Sequence, residues 1–325
     1  MTPELSRKLL FSMKRIRAVE ETIAERYAEQ KMRCPTHLSV GQEAVAAGVG
    51  AVLRQDDLAV SGHRAHAHYL AKGGDLNAMI AELYGKATGC SRGRGGSMHL
   101  VDEAVGFMGS TAIVGGTVPV GVGLAYGMKL KRTDQVSCIF IGDAVAEAGV
   151  FFEALNFAVL KKLPVLFVCE NNLYSVYSSL RVRQPEGRAI HAMVAGFGIA
   201  TAAGDGNDVR AVHGLAAVAV GAIRTGEGPR FLEFSTFRWR EHCGPLYDND
   251  LGYRSEAEFQ EWKARDPIPR FEGTLLDEGV LTAADIADME LKIAREVDAA
   301  FDFAERSPFP PASKAAAGLY TPAAG

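Results

Sequence analysis

The 325-residue sequence lacks the features that mark several large classes of protein. Its five cysteines, Cys34, Cys90, Cys138, Cys169 and Cys243, are scattered and form no Cys-x-x-Cys pair, which favours a reducing compartment over a disulfide framework. The formal net charge of −4 argues against a basic nucleic-acid-binding surface. No apolar run approaches membrane-spanning length, and the first residues do not form a signal peptide. We therefore expect a cytoplasmic protein with neither a membrane nor a nucleic-acid partner.

The pattern of apolar residues is that of an α/β protein. Apolar positions at helical spacing predict a long amphipathic helix over residues 4–29. The runs 136–141 and 164–170 are short, apolar and rich in β-branched residues, as buried parallel strands are, and a helical pattern separates them. Such a strand-helix-strand unit has a right-handed crossover. The sequence therefore predicts a mostly parallel central sheet.

The same criteria predict the remaining elements. They are helices over 41–52, 75–84, 113–126, 209–224, 256–264 and 282–306, strands over 57–61, 198–203 and 230–237, and loops over 86–111 and 238–254. The first loop is Gly-rich and basic, and loops this long in compact domains are usually functional. The Gly-rich, apolar helix over 113–126 suits a buried interface. We expect one domain over residues 1–307 and a disordered tail over 308–325.

Two polar pairs follow the predicted central strands. Gly142-Asp143 ends the first strand and Asn171-Asn172 ends the second. Open α/β sheets bind ligands at the carboxyl ends of their strands. A carboxylate and an amide oxygen suit Mg²⁺, which prefers oxygen ligands and bridges to phosphates. Either pair alone would favour a turn or loop, and Gly204-Asp205-Gly206, which has no Asn-Asn at the same distance, is predicted to be a strand-end turn.

The spacing of 29 positions from Asp143 to Asn172 resembles the thiamine-diphosphate fingerprint, a Gly-Asp-Gly followed at about this distance by Asn-Asn. Over residues 5–265 an ordered set of motifs resembles the alpha subunit of the decarboxylating component of 2-oxo-acid dehydrogenase complexes. The motifs are Gly41-Gln42-Glu43, His63-Arg64-Ala65-His66, Gly93-Arg94-Gly95-Gly96-Ser97-Met98-His99, Ile113-Val114-Gly115, Gly142-Asp143, Phe152-Glu153-Ala154, Glu170-Asn171-Asn172 and Phe237-Arg238-Trp239-Arg240-Glu241-His242. Members act on pyruvate, branched-chain 2-oxo acids or acetoin. The resemblance implies a three-layer α/β/α thiamine-diphosphate-binding fold.

The resemblance also implies thiamine diphosphate and Mg²⁺ as cofactors. Asp143, the side-chain oxygen of Asn172 and the backbone carbonyl of Tyr174 would hold the metal. The resemblance also places Ala112, Val114, Gly142, Ala144 and Val145 against the cofactor.

Basic side chains complete the implied site. His63-Arg64 matches a Tyr-Arg pair on the diphosphate, and Arg64 suits phosphate because its guanidinium donates in a fork. His66 matches an active-site histidine near the thiazolium. His242 matches a loop histidine that approaches the cofactor and acts in reductive acyl transfer. The alternatives are a solvated loop histidine at His242 and a helix start with three exposed histidines, His63, His66 and His68; a zinc site at these three is weaker, because no fourth ligand is suitably spaced.

The sequence departs from the family pattern at four places. Ala144 replaces the last Gly of Gly-Asp-Gly, and Ala148 stands where Gln or Glu is usual. Arg240 replaces a His, which is closer to the acetoin branch. Residues 243–250 replace the Ser-rich loop of pyruvate enzymes, so the sequence does not assign pyruvate, and kinase control through that loop is not supported.

One catalytic group is missing from the chain. The glutamate that activates the cofactor lies on a separate beta subunit in this family, so the resemblance implies an α2β2 heterotetramer. The expected function is to decarboxylate a 2-oxo acid, or cleave acetoin, and to pass the acyl group to a lipoyl acyltransferase. Two alternatives stay open: a biosynthetic decarboxylase or ligase subunit without a lipoamide acceptor, and a non-catalytic scaffold subunit.

Overall fold

The computed structural model describes residues 1–315, which form a parallel sheet between two layers of helices. The helices are α1 (Pro3–Arg26), α2 (Glu43–Gly50), α3 (His66–Ala71), α4 (Leu76–Leu83), α5 (Thr117–Lys131), α6 (Gly149–Leu160), α7 (Leu180–Arg183), α8 (Ile190–Ala195), α9 (Val209–Arg224), α10 (Glu256–Lys263), α11 (Pro267–Asp277) and α12 (Ala283–Arg306). The strands are β1 (Leu58–Ser61), β2 (Phe107–Ser110), β3 (Ser137–Gly142), β4 (Val165–Asn171), β5 (Tyr174–Ser175), β6 (Ser178–Ser179), β7 (Ala200–Asp205) and β8 (Arg230–Ser235).

The main sheet has the strand order β2-β1-β3-β4-β8-β7, and every neighbouring pair is parallel. The prediction of a mostly parallel sheet is therefore confirmed. The central strands β3 and β4 pair in a register that sets Gly142 opposite Glu170. Because all strands run the same way, the segments after β1, β3, β4 and β8 meet at one edge of the sheet.

Alternate residues of the central strands enter two separate cores. Cys138 and Phe140 of β3 lie in a cluster with apolar residues of α1 to α4, α9 and α12. Ile139 and Ile141 of the same strand lie in a second cluster with residues of α5, α6 and α8. The sheet is thus buried on both faces, which confirms the three-layer α/β/α arrangement.

The predicted and observed elements differ in a few places. The helix predicted over 113–126 begins only at Thr117, because Gly115 has a φ of +78° and the chain turns before it. Strand β2 lies inside the loop predicted over 86–111, as an edge strand of four residues that include Gly109. Helices α3, α7, α8 and α11 and the two-residue strands β5 and β6 were not predicted. Two of them have six residues each, too few for a helical period to stand out.

The chain beyond α12 packs back on the body. The backbone carbonyl of Pro308 accepts a hydrogen bond from the Ala87 amide at 2.9 Å, and Lys86 Nζ lies 4.1 Å from the centre of the Phe309 ring. Of the predicted disordered tail, Pro308 and Phe309 thus contact the body of the fold, and residues 316–325 lie outside the described part of the chain. Within residues 1–315, no helix is long and apolar enough to cross a membrane.

Candidate functional site

A cavity lies at the carboxyl edge of the sheet, among the segments that follow β1, β3, β4 and β8. It brings together residues that the sequence places in five separate segments. The cavity is lined by His63, Arg64, Ala112, Val114, Gly142, Asp143, Ala144, Val145, Asn172, Tyr174 and His242. These are all the cofactor-binding positions that the resemblance implies, and His66 is the one predicted site residue missing from the lining.

Asp143 is a buried carboxylate whose charge is balanced by a guanidinium. It directly follows β3, is 2 % exposed, and forms an ion pair with Arg183 of α7. Arg183 also pairs with Glu147, at the end of the same turn that begins at Asp143. Burial raises the pKa of Asp143, and the Arg183 ion pair opposes that rise. The carboxylate at this strand end is thus matched to a cation.

Asn172 is held in place by two neighbours. Its Oδ1 accepts a hydrogen bond from the Tyr174 amide at 3.3 Å, and its Nδ2 donates to Gln42 Oε1 at 3.2 Å. Gln42 also lines the cavity. It follows Gly41, whose φ is +96° and where a Cβ would lie 2.6 Å from the Phe237 carbonyl oxygen, so only glycine fits there. The Gly-Gln-Glu motif therefore brings Gln42 against Asn172.

Arg64 supplies a buried positive charge to the cavity. Its guanidinium donates to the backbone carbonyls of Leu38 and, at 3.4 Å, of His242. Within residues 1–315 it forms no ion pair with a carboxylate. Burial lowers the pKa of Arg64 to about 10, and the nearby charge of Arg238 adds to the effect. Arg64 therefore remains a cation at neutral pH, with only neutral carbonyl oxygens as hydrogen-bond acceptors.

Three imidazoles from distant segments meet in the cavity. The ring centres of His37, His63 and His242 lie 4.7 to 5.3 Å apart. Burial, with the charge of Arg64 as a further cause, lowers the pKa values of these three groups to about 2, 4 and 3 respectively. All three are therefore neutral near pH 7. Their ring nitrogens lie within 4.8 Å of one another.

His37 was not predicted from the sequence. It is 6 % exposed, and its Nδ1 has no hydrogen-bond partner among the described residues. It lies between the end of α1 and the Gly-Gln-Glu motif, in a stretch without regular periodicity. The only indication in the sequence was its position four residues before Gly41. That position does not predict that the His37 side chain points into the cavity.

A second polar group in the cavity was also missed. His68 stacks on Phe140 with ring centres 3.9 Å apart, and its Nδ1 lies 2.8 Å from the Ser61 hydroxyl. On its other side, Nε2 lies 3.2 Å from Glu170 Oε2. Glu170 is the last residue before Asn171-Asn172, and its Oε1 has no hydrogen-bond partner among residues 1–315. Ser61, His68, Phe140 and Glu170 all line the cavity.

His66 is not among the residues that line the cavity, and its predicted place near the thiazolium stays a prediction. Its side chain is fully buried, with Nδ1 3.0 Å from Glu20 and Nε2 2.8 Å from the Ser97 hydroxyl. Both ring nitrogens are thus bonded to groups of the protein, so the side chain joins α1 to the Gly-rich loop. The alternative of three exposed histidines is also wrong, because His66 and His68 are buried.

The unusual loop after β8 keeps His242 in the cavity. Asp248 is buried, and it pairs with Arg254 and, at 3.4 Å, with Arg238. The Gly244 amide donates to the Thr36 carbonyl at 2.9 Å. These contacts fix both ends of the segment 243–250. His242 is therefore a half-buried side chain of the cavity wall rather than a fully solvated loop residue.

Comparison with known proteins identifies the family. Residues 11–313 match the family described as dehydrogenase E1 component. The chain is 39% identical over 297 residues to the pyruvate dehydrogenase E1 component subunit alpha of Zymomonas mobilis, covering 91% of this chain and 82% of that protein. It is 36% identical over 295 residues to the subunit of the same name from Rickettsia felis, covering 91% and 89%. A chloroplastic alpha-3 subunit from Arabidopsis thaliana is 39% identical over 300 residues, covering 90% and 69%. The chain belongs to the dehydrogenase E1 component family.

Proposed function

We propose that this chain is the alpha subunit of a thiamine-diphosphate-dependent E1 enzyme that decarboxylates a 2-oxo acid and passes the acyl group to a lipoyl carrier. The observation that carries the proposal is the cavity, where eleven residues implied by the family resemblance come together from five segments. The names of the relatives support the same conclusion, because each is an E1 component alpha subunit.

The carboxylate of Asp143 suits a magnesium ion. An ionised carboxylate buried to this degree is stabilised by a cation against it, and here the guanidinium of Arg183 supplies that charge. Asn172 follows the neighbouring strand and lines the same cavity. Asp143, the amide oxygen of Asn172 and the backbone carbonyl of Tyr174 would hold the metal, since Mg²⁺ takes oxygen ligands and leaves its other positions to phosphate and water.

Arg64 suits the diphosphate. A buried guanidinium that pairs with no carboxylate in residues 1–315 has room for an anion, and its planar fork matches phosphate oxygens. His63 directly precedes it and lines the same wall of the cavity. We assign Arg64 and His63 to the diphosphate end.

The neutral imidazoles suit proton transfer at the reacting end. When bound, thiamine diphosphate supplies a nucleophilic carbon that can attack the carbonyl carbon of a 2-oxo acid. His37 and His242 are uncharged, so each can donate one hydrogen bond and accept another without adding charge to the cavity. In this role they hold the substrate oxygen by hydrogen bonds, and an anionic diphosphate bound at Arg64 would raise their pKa values toward the range in which an imidazole transfers protons.

An exposed apolar face suits the partner subunit. It consists of Val120, Tyr126, Leu130, Phe157 and Leu160, which lie on the outer sides of α5 and α6. The Tyr126 and Phe157 rings meet edge to face, 5.6 Å apart, and join the two helices into one surface. Contiguous exposed apolar patches mark interaction sites. We call this surface the α5/α6 face and assign it to contact with another subunit of the α2β2 assembly.

The glycines of α5 give independent support for this assignment. A Cβ added at Gly121 would lie 2.5 Å from Ile139, so the fold itself requires glycine there. A Cβ added at Gly123 or Gly127 would meet nothing within 4 Å, so the isolated fold does not require glycine at these positions. Glycine would allow the close approach of another backbone.

The substrate is a small 2-oxo acid, and pyruvate is the first to test because the relatives are named for it. Arg240, which suggested the acetoin branch, pairs with Glu21 and donates to the Pro245 carbonyl at 2.6 Å, and it does not line the cavity. It therefore cannot select the substrate by direct contact.

The alternative of a non-catalytic scaffold subunit is disfavoured, because the cavity holds buried charged side chains.

The test is to co-express the chain with the beta subunit from the same organism and measure pyruvate decarboxylation with an artificial electron acceptor. We expect activity that depends on added thiamine diphosphate and Mg²⁺, and none from the chain alone. Equal activity of the chain alone would refute the subunit assignment. Absence of cofactor-dependent turnover in the assembled pair, with pyruvate, branched-chain 2-oxo acids and acetoin all tried, would refute the proposed function.

A further inference from the structure

Arg183 forms an ion pair with Asp143, the carboxylate to which the metal is assigned. Its guanidinium bonds Asp143 and Glu147 at once, and its Nε donates to the Ser178 carbonyl at 3.2 Å. We propose that Arg183 is an internal competitor of the metal ion, which must leave Asp143 before Mg²⁺ and the diphosphate can bind. This inference rests on the proposed function, because it concerns the same metal site.

Competition follows from the small space around a buried carboxylate. Asp143 is 2 % exposed, and Arg183 bonds its Oδ2 directly. A guanidinium and a hydrated magnesium ion cannot both lie against one such oxygen, and their like charges repel each other. The ion pair therefore lowers the apparent affinity for Mg²⁺ by the free energy needed to break it.

Glu147 makes the exchange feasible. A guanidinium removed from its only carboxylate would leave a partly buried charge without a partner, at a high cost. Arg183 can keep its ion pair with Glu147 when it leaves Asp143, and the Glu147 side chain is more exposed than that of Asp143. The displaced side chain thus has an acceptor near solvent.

The same contacts couple metal binding to the wall of the cavity. Ser178 belongs to the hairpin of β5 and β6, whose first strand carries Tyr174 and whose turn carries Val176, and both line the cavity. Val176 has a φ of +52°, an uncommon conformation for a β-branched residue, and its carbonyl accepts from Arg238 at 2.9 Å. Release of Arg183 from Asp143 therefore alters the support of this hairpin.

The direction in which a single substitution changes the apparent affinity for Mg²⁺ tests the proposal. If Arg183 competes with the metal, Arg183→Met should lower the Mg²⁺ concentration that half-saturates thiamine-diphosphate binding by at least about tenfold. Cofactor binding is followed by calorimetry on the full chain assembled with its beta subunit, at fixed thiamine diphosphate. Arg181→Met is the matched control, because Arg181 lies exposed on the same short helix, and it should leave the half-saturation point unchanged.

Limited trypsin digestion gives a second readout. Mg²⁺ and thiamine diphosphate together should speed cleavage after Arg183 in the wild-type assembly, because the side chain leaves its buried partner. Weaker Mg²⁺-dependent binding in Arg183→Met would overturn the proposal and make Arg183 a ligand of the diphosphate. An unchanged half-saturation point would overturn it as well. Failure of the wild-type assembly to bind the cofactor at all would instead refute the proposed function.

Discussion

The Nη2 of Arg64 lies 3.4 Å from the backbone carbonyl oxygen of His242, and the two residues are 178 positions apart in the chain. The contact joins the segment after β1 to the loop after β8. It places the buried charge of Arg64 beside the imidazole of His242 and contributes to the low pKa of that ring. The loop therefore enters the cavity through its backbone contact with Arg64 as well as through the ion pairs of Asp248.

His242 should matter more for turnover than for cofactor affinity. We expect His242→Asn to lower the rate of acyl transfer by about 100-fold or more, the range typical of proton-transfer groups. Affinity for thiamine diphosphate should change little, because Arg64 and Asp143 remain. Steady-state kinetics with the physiological acceptor and calorimetry on the same variant give the two numbers.

His213→Asn provides the control, since it removes an imidazole from α9, outside the cavity lining. Loss of cofactor affinity with unchanged turnover would make His242 a phosphate ligand. No change in either quantity would remove His242 from the mechanism.

The half-buried imidazole of His63 should destabilise the fold in acid. The pKa of His63 is lowered to about 4 in the folded chain, against about 6.5 for an unperturbed imidazole. Between these two values the unfolded chain binds more protons than the folded one, so the free energy of unfolding decreases as the pH falls through this window. Above about pH 6.5 both states carry a neutral ring and the effect vanishes.

His63→Tyr isolates this contribution, because tyrosine is the residue that the family resemblance places at this position. Urea unfolding of the full-length chain at about pH 7 and about pH 5 should show a smaller loss of stability in the variant than in the wild type. Equal losses in both proteins would show that His63 is already protonated in the folded state, or exposed enough to titrate normally.

The α5/α6 face should be required for assembly. Leu130 is 66% exposed on α5, and Leu130→Asp should shift the chain from the heterotetramer to smaller species in sedimentation velocity with the beta subunit. Val218→Asp is the control, because Val218 is 75% exposed on α9, in the other helical layer. Unimpaired assembly of the Leu130 variant would assign the face to another partner.

The polar residues at the strand ends could be predicted from the sequence because their placement depends only on the strands that directly precede them. Asp143 and Asn172 each directly follow a strand of strong apolar character, and parallel neighbours bring such positions to one edge. The family and the α/β fold are confirmed.

Gly204-Asp205-Gly206 is a strand-end turn as predicted, since β7 ends at Asp205 on the far edge of the sheet. The roles of the site residues, the α2β2 assembly and the cytoplasmic location stay predictions.

The rest of the site depends on contacts between distant segments. His66 begins α3, and no local pattern fixes which side of a six-residue helix faces the cavity. The structure turns His66 toward Glu20 and Ser97 and brings His37 into the cavity in its place. Arg183 lies on a four-residue helix outside any predicted element, so its pairing with Asp143 could not be derived from periodicity.

The central claim is that the cavity binds thiamine diphosphate through a metal ion on Asp143. The most direct measurement is calorimetric titration of thiamine diphosphate, at fixed Mg²⁺, into the assembly of this chain with its beta subunit. Asp143→Asn should abolish Mg²⁺-dependent binding. Asp205→Asn, which changes the equivalent carboxylate of the other Gly-Asp-Gly-like turn, should bind as the wild type does. Unchanged affinity in Asp143→Asn, or equal losses in both variants, would contradict the account.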